Sequence, residues 1–252
     1  MTPGPAAELP EAHVSLGLVR LFFEWDGAGA DREFRRALEL NPGLADAHYA
    51  RTLVLTQAGD TRGALEEIRR ARGFDPLSAI LRSTEAWVHY YARDFREAIA
   101  GCQRTLELHP GFLEAQIGLG LALKEVGELE RALCELEKAR ELSAGNPLVL
   151  GVLGATLAQA GRTGAALALA SELDRKRDGY VAPIAYAMLY SGLADAPRAL
   201  AYLRQALEAK DGLVRYLAVS PIFDTVRGND EFSELLVTLG LRPAAGPRGG
   251  NR

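Results

Sequence analysis

Apolar and small residues along the chain fall into short helical runs punctuated by glycine or proline, and the stretch from Leu113 to Asn146 shows the rule. Before Gly127 one run carries Ile117, Leu119, Leu121 and Leu123 around Gly120; after it the next carries Leu129, Ala132, Leu133, Leu136 and Ala139. These residues wrap more than one face of each helix, so neither helix buries them alone. An antiparallel pair hides one face and the following pair must hide the other. That is the physics of a stacked-hairpin solenoid.

The pattern repeats every 34 residues, with alanines at Ala30, Ala64, Ala98, Ala132 and Ala166, and Ala199 one residue early. Seven residues on stand Ala37, Ala71, Thr105, Ala139, Leu173 and Ala206, mostly small, where a long side chain would hold two helices apart. Pro42, Pro76 and Pro110 mark where each second helix ends. Gly59, Gly127 and Gly161 mark the turn inside a pair, where a left-handed residue closes the first helix.

This register resembles the tetratricopeptide (TPR) repeat, W-x2-L-G-x2-Y, then A-x3-F, then P. The fourth repeat keeps the Gly120 and Ala132 positions but has Gln116, Leu136 and Ala144 for Trp, Phe and Pro. The second keeps Ala64, Ala71 and Pro76, with His48 and Thr52 for Trp and Gly. The resemblance implies an all-α, right-handed α-solenoid of about six helix pairs with a C-terminal capping segment. Repeats are expected over 11–44, 45–78, 79–112, 113–146, 147–179 and 180–212, a cap over 213–241, a loose tail over 1–10 and a disordered one over 242–252. The first and last segments also look like a bacterial TPR module that often follows a kinase, cyclase or winged-helix domain. No room for such a part exists before residue 11, and the residues leave open both a stand-alone product and a piece of a longer chain.

Several local expectations follow. Trp25 stands where glycine usually sits and is expected to cover the exposed first end. Asp94 and Asp195 are placed to cap second helices, and Pro183 shortens the first helix of repeat six to about Pro183–Ser191. Residues after Lys210 read as an extended passage, a turn over Pro221–Arg227 and a helix over about Asp230–Leu239. Phe223, Phe232, Leu235 and Leu236 are expected to cover the open face of repeat six.

Bulk properties change the picture little. A hydrophobic fraction of 48% supports a fold, and 26 glycines with 7% aromatic residues suit close helix packing more than a large globular core. A net charge of -4, with both signs interspersed, gives no general attraction to nucleic acid or an anionic membrane. Cys102 and Cys134 read as reduced, buried, small apolar residues. No secretory signal and no membrane-length apolar run is visible, so the cytoplasm is the default.

Candidate chemistry is thin. His13, His48, His89 and His109 have no metal spacing, so no metal and no cofactor is expected. His48 and His89 fall at aromatic packing positions and read as structural. No P-loop, G-x-G-x-x-G or nucleophile elbow occurs, and Glu66, Glu67, Glu135 and Glu137 read as surface ion-pairing groups. The chain is therefore expected not to be an enzyme.

In the resembling family the first helices line a concave groove through repeat positions 2, 5, 9, 12 and 13. Those positions supply Phe22, Phe23, Tyr49, Leu53, Trp87, Tyr90, Tyr91, Ile117, Leu121 and Lys124, with small Gly151 and Ala155 further on. The groove is expected to be aromatic and aliphatic near the N-terminus and open beyond. Positions 5, 6 and 9 hold no lysine or asparagine, so the clamp for a chaperone's C-terminal carboxylate is absent. The expected function is a non-enzymatic scaffold that binds a peptide, helix or partner domain by apolar anchoring. The alternative is a regulatory module acting by self-association or on an adjacent effector domain. The implied partner is a protein or peptide, with a homo-oligomer possible, and neither nucleic acid nor membrane.

Overall fold

A computed structural model describes residues 9–176 and 180–241. They form a right-handed α-solenoid of six helical hairpins and a C-terminal segment, with no strand among the described residues. The hairpins are α1 (Pro10–Val19) with α2 (Gly27–Leu40), α3 (Ala45–Gln57) with α4 (Thr61–Phe74), and α5 (Ala79–Tyr91) with α6 (Phe95–Leu108). They continue as α7 (Leu113–Glu125) with α8 (Leu129–Leu142), α9 (Pro147–Gln159) with α10 (Thr163–Arg175), and α11 (Pro183–Gly192) with α12 (Ala196–Glu208). A π turn, Arg20–Glu24, extends α1.

The alanine register explains the pairing. Ala30, Ala64, Ala98, Ala132, Ala166 and Ala199 are all fully buried, as are Ala37, Ala71, Thr105, Ala139, Leu173 and Ala206 one stripe along. Each second helix thus presents a flat, small-residue face to its partner. The prolines follow two residues after α2, α4 and α6 end. Within the pairs, Gly59, Gly127 and Gly161 turn the chain at φ of 76°, 82° and 74°. Trp25, Arg93 and Ala194 take the same left-handed turn without being glycine, a geometry that costs an L-residue roughly 1–2 kcal/mol.

Asp26, Asp60 and Asp195 cap second helices by accepting from Gly29, Gly63 and Arg198 N–H groups. Asp94 makes no such bond. Its carboxylate instead lies 3.2 Å from His89 Nδ1, so the imidazole competes for the capping oxygen. The cysteines also divide: Cys102 is buried and Cys134 exposed. They are 32 residues apart, two short of the repeat, which rotates Cys134 by about 200° on its helix. Burial pushes the Cys102 thiol up to about 12. Among the four carboxylates read as surface groups, Glu67 is buried. It accepts from Arg51 at 2.7 Å and faces His48 Nδ1 at 2.6 Å, tying α3 to α4.

The open, small-lined stretch expected beyond repeat four is closed. A Cβ added at Gly151 would stand 2.4 Å from the Ala185 carbonyl oxygen, and one at Gly192 would stand 2.3 Å from Ala155 Cα. Missing side chains let α9 and α11 pack backbone to backbone, so Gly151 and Ala155 are buried. The C-terminal segment differs too. Instead of an extended passage it forms 3-10 turns at Gly212–Tyr216 and Pro221–Phe223, then α13 (Asp230–Thr238). Val214, Leu217, Ile222, Phe223, Phe232 and Leu236 join one core with Leu200 and Leu203 of α12.

Candidate interaction surface

The first helices touch one another in sequence, α1 to α3, α3 to α5, α5 to α7 and α7 to α9, and make the inner layer. Their C-terminal ends bring Trp87, Tyr90 and Tyr91 together. Trp87 meets Tyr90 and Tyr91 at ring-centroid distances of 5.4 and 5.6 Å, and Tyr90 meets Tyr91 at 5.4 Å. Trp87 Nε1 donates to the Glu114 carbonyl at 3.2 Å, which fixes the indole against α7.

The chain's own C-terminal segment lies on this end of the layer. Tyr216 stacks on Tyr91 at 4.9 Å, and its 3-10 turn packs on α3. Arg93, at the strained α5–α6 turn, donates two hydrogen bonds to the Asp224 carboxylate, at 2.6 and 2.7 Å. Val219 approaches Gly59, Gly212 approaches Phe22, and Arg215 approaches Gly27. Trp25 does not cover the first end: it lines a cavity of about 580 Å³ with Arg215, Leu239 and Leu241. Two of the three non-glycine turn residues, Trp25 and Arg93, thus adjoin this segment, whose packing over-determines their backbone.

Burial sets the electrostatics there. It pushes the Tyr216 phenol up to about 12, against a smaller lowering from Gln57 beside it. Burial raises Tyr91 as well, with Tyr216 adding. For Asp224 burial alone would raise the carboxyl, but the Arg93 and Arg227 guanidiniums together outweigh it and hold the pKa below the ordinary range.

The expected groove residues therefore divide. Tyr90 and Leu121 are buried in the core, and Trp87, Tyr91 and Ile117 are half-buried against it. Lys124 is buried, 2.8 Å from Glu125 Oε1. Tyr49 packs on Ile68, Ala71 and Leu81, and Leu53 and Phe22 pack on the cluster between α1 and α3. Phe23 is open, at 71% exposure. Leu16, Val19 and Ile80 stay open as well, at 42%, 44% and 54%. Tyr216, Val219 and Asp224 were not anticipated as groove contacts. Their only signal is an aromatic and an acid in an aperiodic stretch, too little to place them beside residues far away in sequence.

No family model and no curated protein sequence matches the chain. Solved structures do. PilF of Pseudomonas aeruginosa superposes with a TM-score of 0.58 at 22% identity, over 92% of this chain and 99% of that one. A thermophilic TPR protein of Thermus thermophilus gives 0.55 at 20% identity, over 83% and 98%. MamA of Desulfovibrio magneticus, from residue 41 to its end, gives 0.56 at 17% identity, over 70% and 99%. With the 34-residue alanine register and the left-handed turn inside each hairpin, these likenesses identify the chain's architecture as the tetratricopeptide-repeat fold.

Proposed function

We propose that the chain is a non-enzymatic protein-interaction scaffold that holds a peptide, helix or partner domain by apolar anchoring on its inner face. The observation that carries this reading is the single face of α1 and its π turn on which Leu16, Val19 and Phe23 recur at i, i+3 and i+7 and stand open. Exposed large apolar residues that cluster rather than scatter mark docking surfaces. The fold supplies the stage, since a solenoid keeps its inner helices in register while leaving one long face free.

The test is capture by the full chain from its native cell, with the captured protein identified by mass spectrometry and rebound in purified form. Val19→Asp with Phe23→Asp should abolish rebinding. Leu108→Asp, at an equally exposed site on the second-helix side, should leave it intact. The reverse pattern would overturn the inner-face reading.

A further inference from the structure

The start of α2, the end of α3 and the C-terminal segment surround a cavity of about 580 Å³, and its wall holds a buried cation without a counter-ion. Arg215 is only 6% exposed. Burial lowers its pKa, and no carboxylate among the described residues pairs with it.

Half of this guanidinium is unused. Nη1 donates to the Leu239 carbonyl at 2.9 Å. Nε is buried without a partner, and Nη2 makes no hydrogen bond among the described residues. Nε and Nη2 form the edge with which an arginine grips a carboxylate through two parallel bonds. Nη2 lies 3.4 Å from where a Cβ on Gly27 would stand, and Gly27 lines the same cavity. A side chain there would cover the edge; glycine leaves it bare. A second donor on the wall is unpaired as well, since Trp25 Nε1 is buried with no acceptor.

Folded chains pair nearly all their buried polar groups, and a buried charge nearly always has an opposite one. Water in the cavity would satisfy the N–H groups and leave the charge uncompensated. We infer that the cavity binds a small organic acid, one carboxylate on an apolar body, with the carboxylate held by the Nε–Nη2 edge of Arg215 and by the Trp25 N–H.

The rest of the wall sets the body and the charge. Val54, Leu55, Leu239 and Leu241 line the cavity beside the Trp25 ring, which suits an aliphatic chain. Asp26 and Asp31 line it too, but neither serves Arg215. Asp26 caps α2 at Gly29 and lies 3.8 Å from Arg20, while Asp31 meets Arg35 and Arg51 at 2.7 and 3.0 Å. Two acids on the wall disfavour a phosphate dianion, which one arginine would have to hold against them. A monoanion fits that balance.

Calorimetric titration of the intact chain tests this with octanoate, 1-octanol, octylamine and acetate. Octanoate should bind, and the other three should each bind at least about tenfold more weakly, for want of the negative charge or of the apolar chain. Arg215→Gln should weaken octanoate at least about tenfold. Trp25→Phe, which keeps a ring and loses the donor, should weaken it about threefold. Arg215→Gln also gives up the bond to Leu239, so Gly27→Val is the second variant. It keeps that bond, covers the Nε–Nη2 edge, and should abolish binding with the circular-dichroism spectrum unchanged. No binding of octanoate, equal binding of any of the three controls, or an octanoate affinity untouched by either Arg215→Gln or Gly27→Val would overturn the inference.

Discussion

The two ends of the inner helices are built from the same kinds of residue and differ in what covers them. At the C-terminal ends of α3 and α5, Gln57 and Tyr91 lie under Tyr216, and Arg93 is pinned by Asp224. At the N-terminal end of α5, Ile80 is more than half exposed. Hydrophobicity at groove positions thus reports that something must cover a helix, without reporting whether the cover is another part of the chain or another molecule. Here α5 carries both a covered end at Tyr91 and an open one at Ile80, a few turns apart.

Substitutions should separate the two ends by size of effect. The largest loss belongs under the covered end: Phe223→Ala removes a fully buried ring from the shared core and should cost about 3–5 kcal/mol in urea unfolding. Ile80→Asp, at the open end, should stay within about 0.5 kcal/mol in the same assay. Next comes the ring stack that spans the covered end. A double-mutant cycle on Tyr91→Leu and Tyr216→Leu isolates the coupling of the rings, expected at about 0.5–1.5 kcal/mol. A coupling near zero would mean that the segment rests on α5 without recognising it.

The strained turns refine the contrast. Ala194→Gly should stabilise the chain by about 1 kcal/mol, because it relieves a left-handed alanine and removes little else. Arg93→Gly relieves the same strain but removes the bonds to Asp224, so its gain should be smaller or reversed. Asp224 gives the smallest effect and a pH signature. Its folded pKa is depressed, so the stability it contributes is present above the unfolded value of about 3.9 and lost as pH falls through the lower folded one. Because the group is partly exposed, the contribution is about 0.5–1 kcal/mol. Wild type and Asp224→Asn should differ at neutral pH and converge below about pH 4 when unfolded by urea across a pH series.

Much of the architecture is readable from residues because a repeat writes each rule several times. The alanines of α2, α4, α6, α8 and α10 recur at one spacing, and all are buried. A single departure shows how narrow that reading is: Cys134 misses the repeat by two residues and its side chain faces water, while Cys102 sits in the core. The groove was less readable. Trp87, Tyr90 and Tyr91 do cluster, as local helical spacing dictates. What lies on them does not follow from local spacing, since Arg93 and Asp224 are 131 residues apart and Asp224 lies outside the repeat. The closure of α9 on α11 was hidden for another reason. Glycine at position 151 reads equally as an open floor or as a place where a second backbone can enter, and only the position of Ala185 decides.

Native-state amide hydrogen exchange, resolved by segment, tests the central claim most directly. If residues 212–227 are a fixed part of the inner face, their slowest amides should exchange with free energies close to those of α3 and α5, and Tyr216→Ala should lower protection at Gln57 and Tyr91 as well as in the segment itself. Rapid exchange throughout 212–227, with α3 and α5 fully protected, would show that the covered end is not covered. The division of the inner helices into a covered end and an open one would then be wrong.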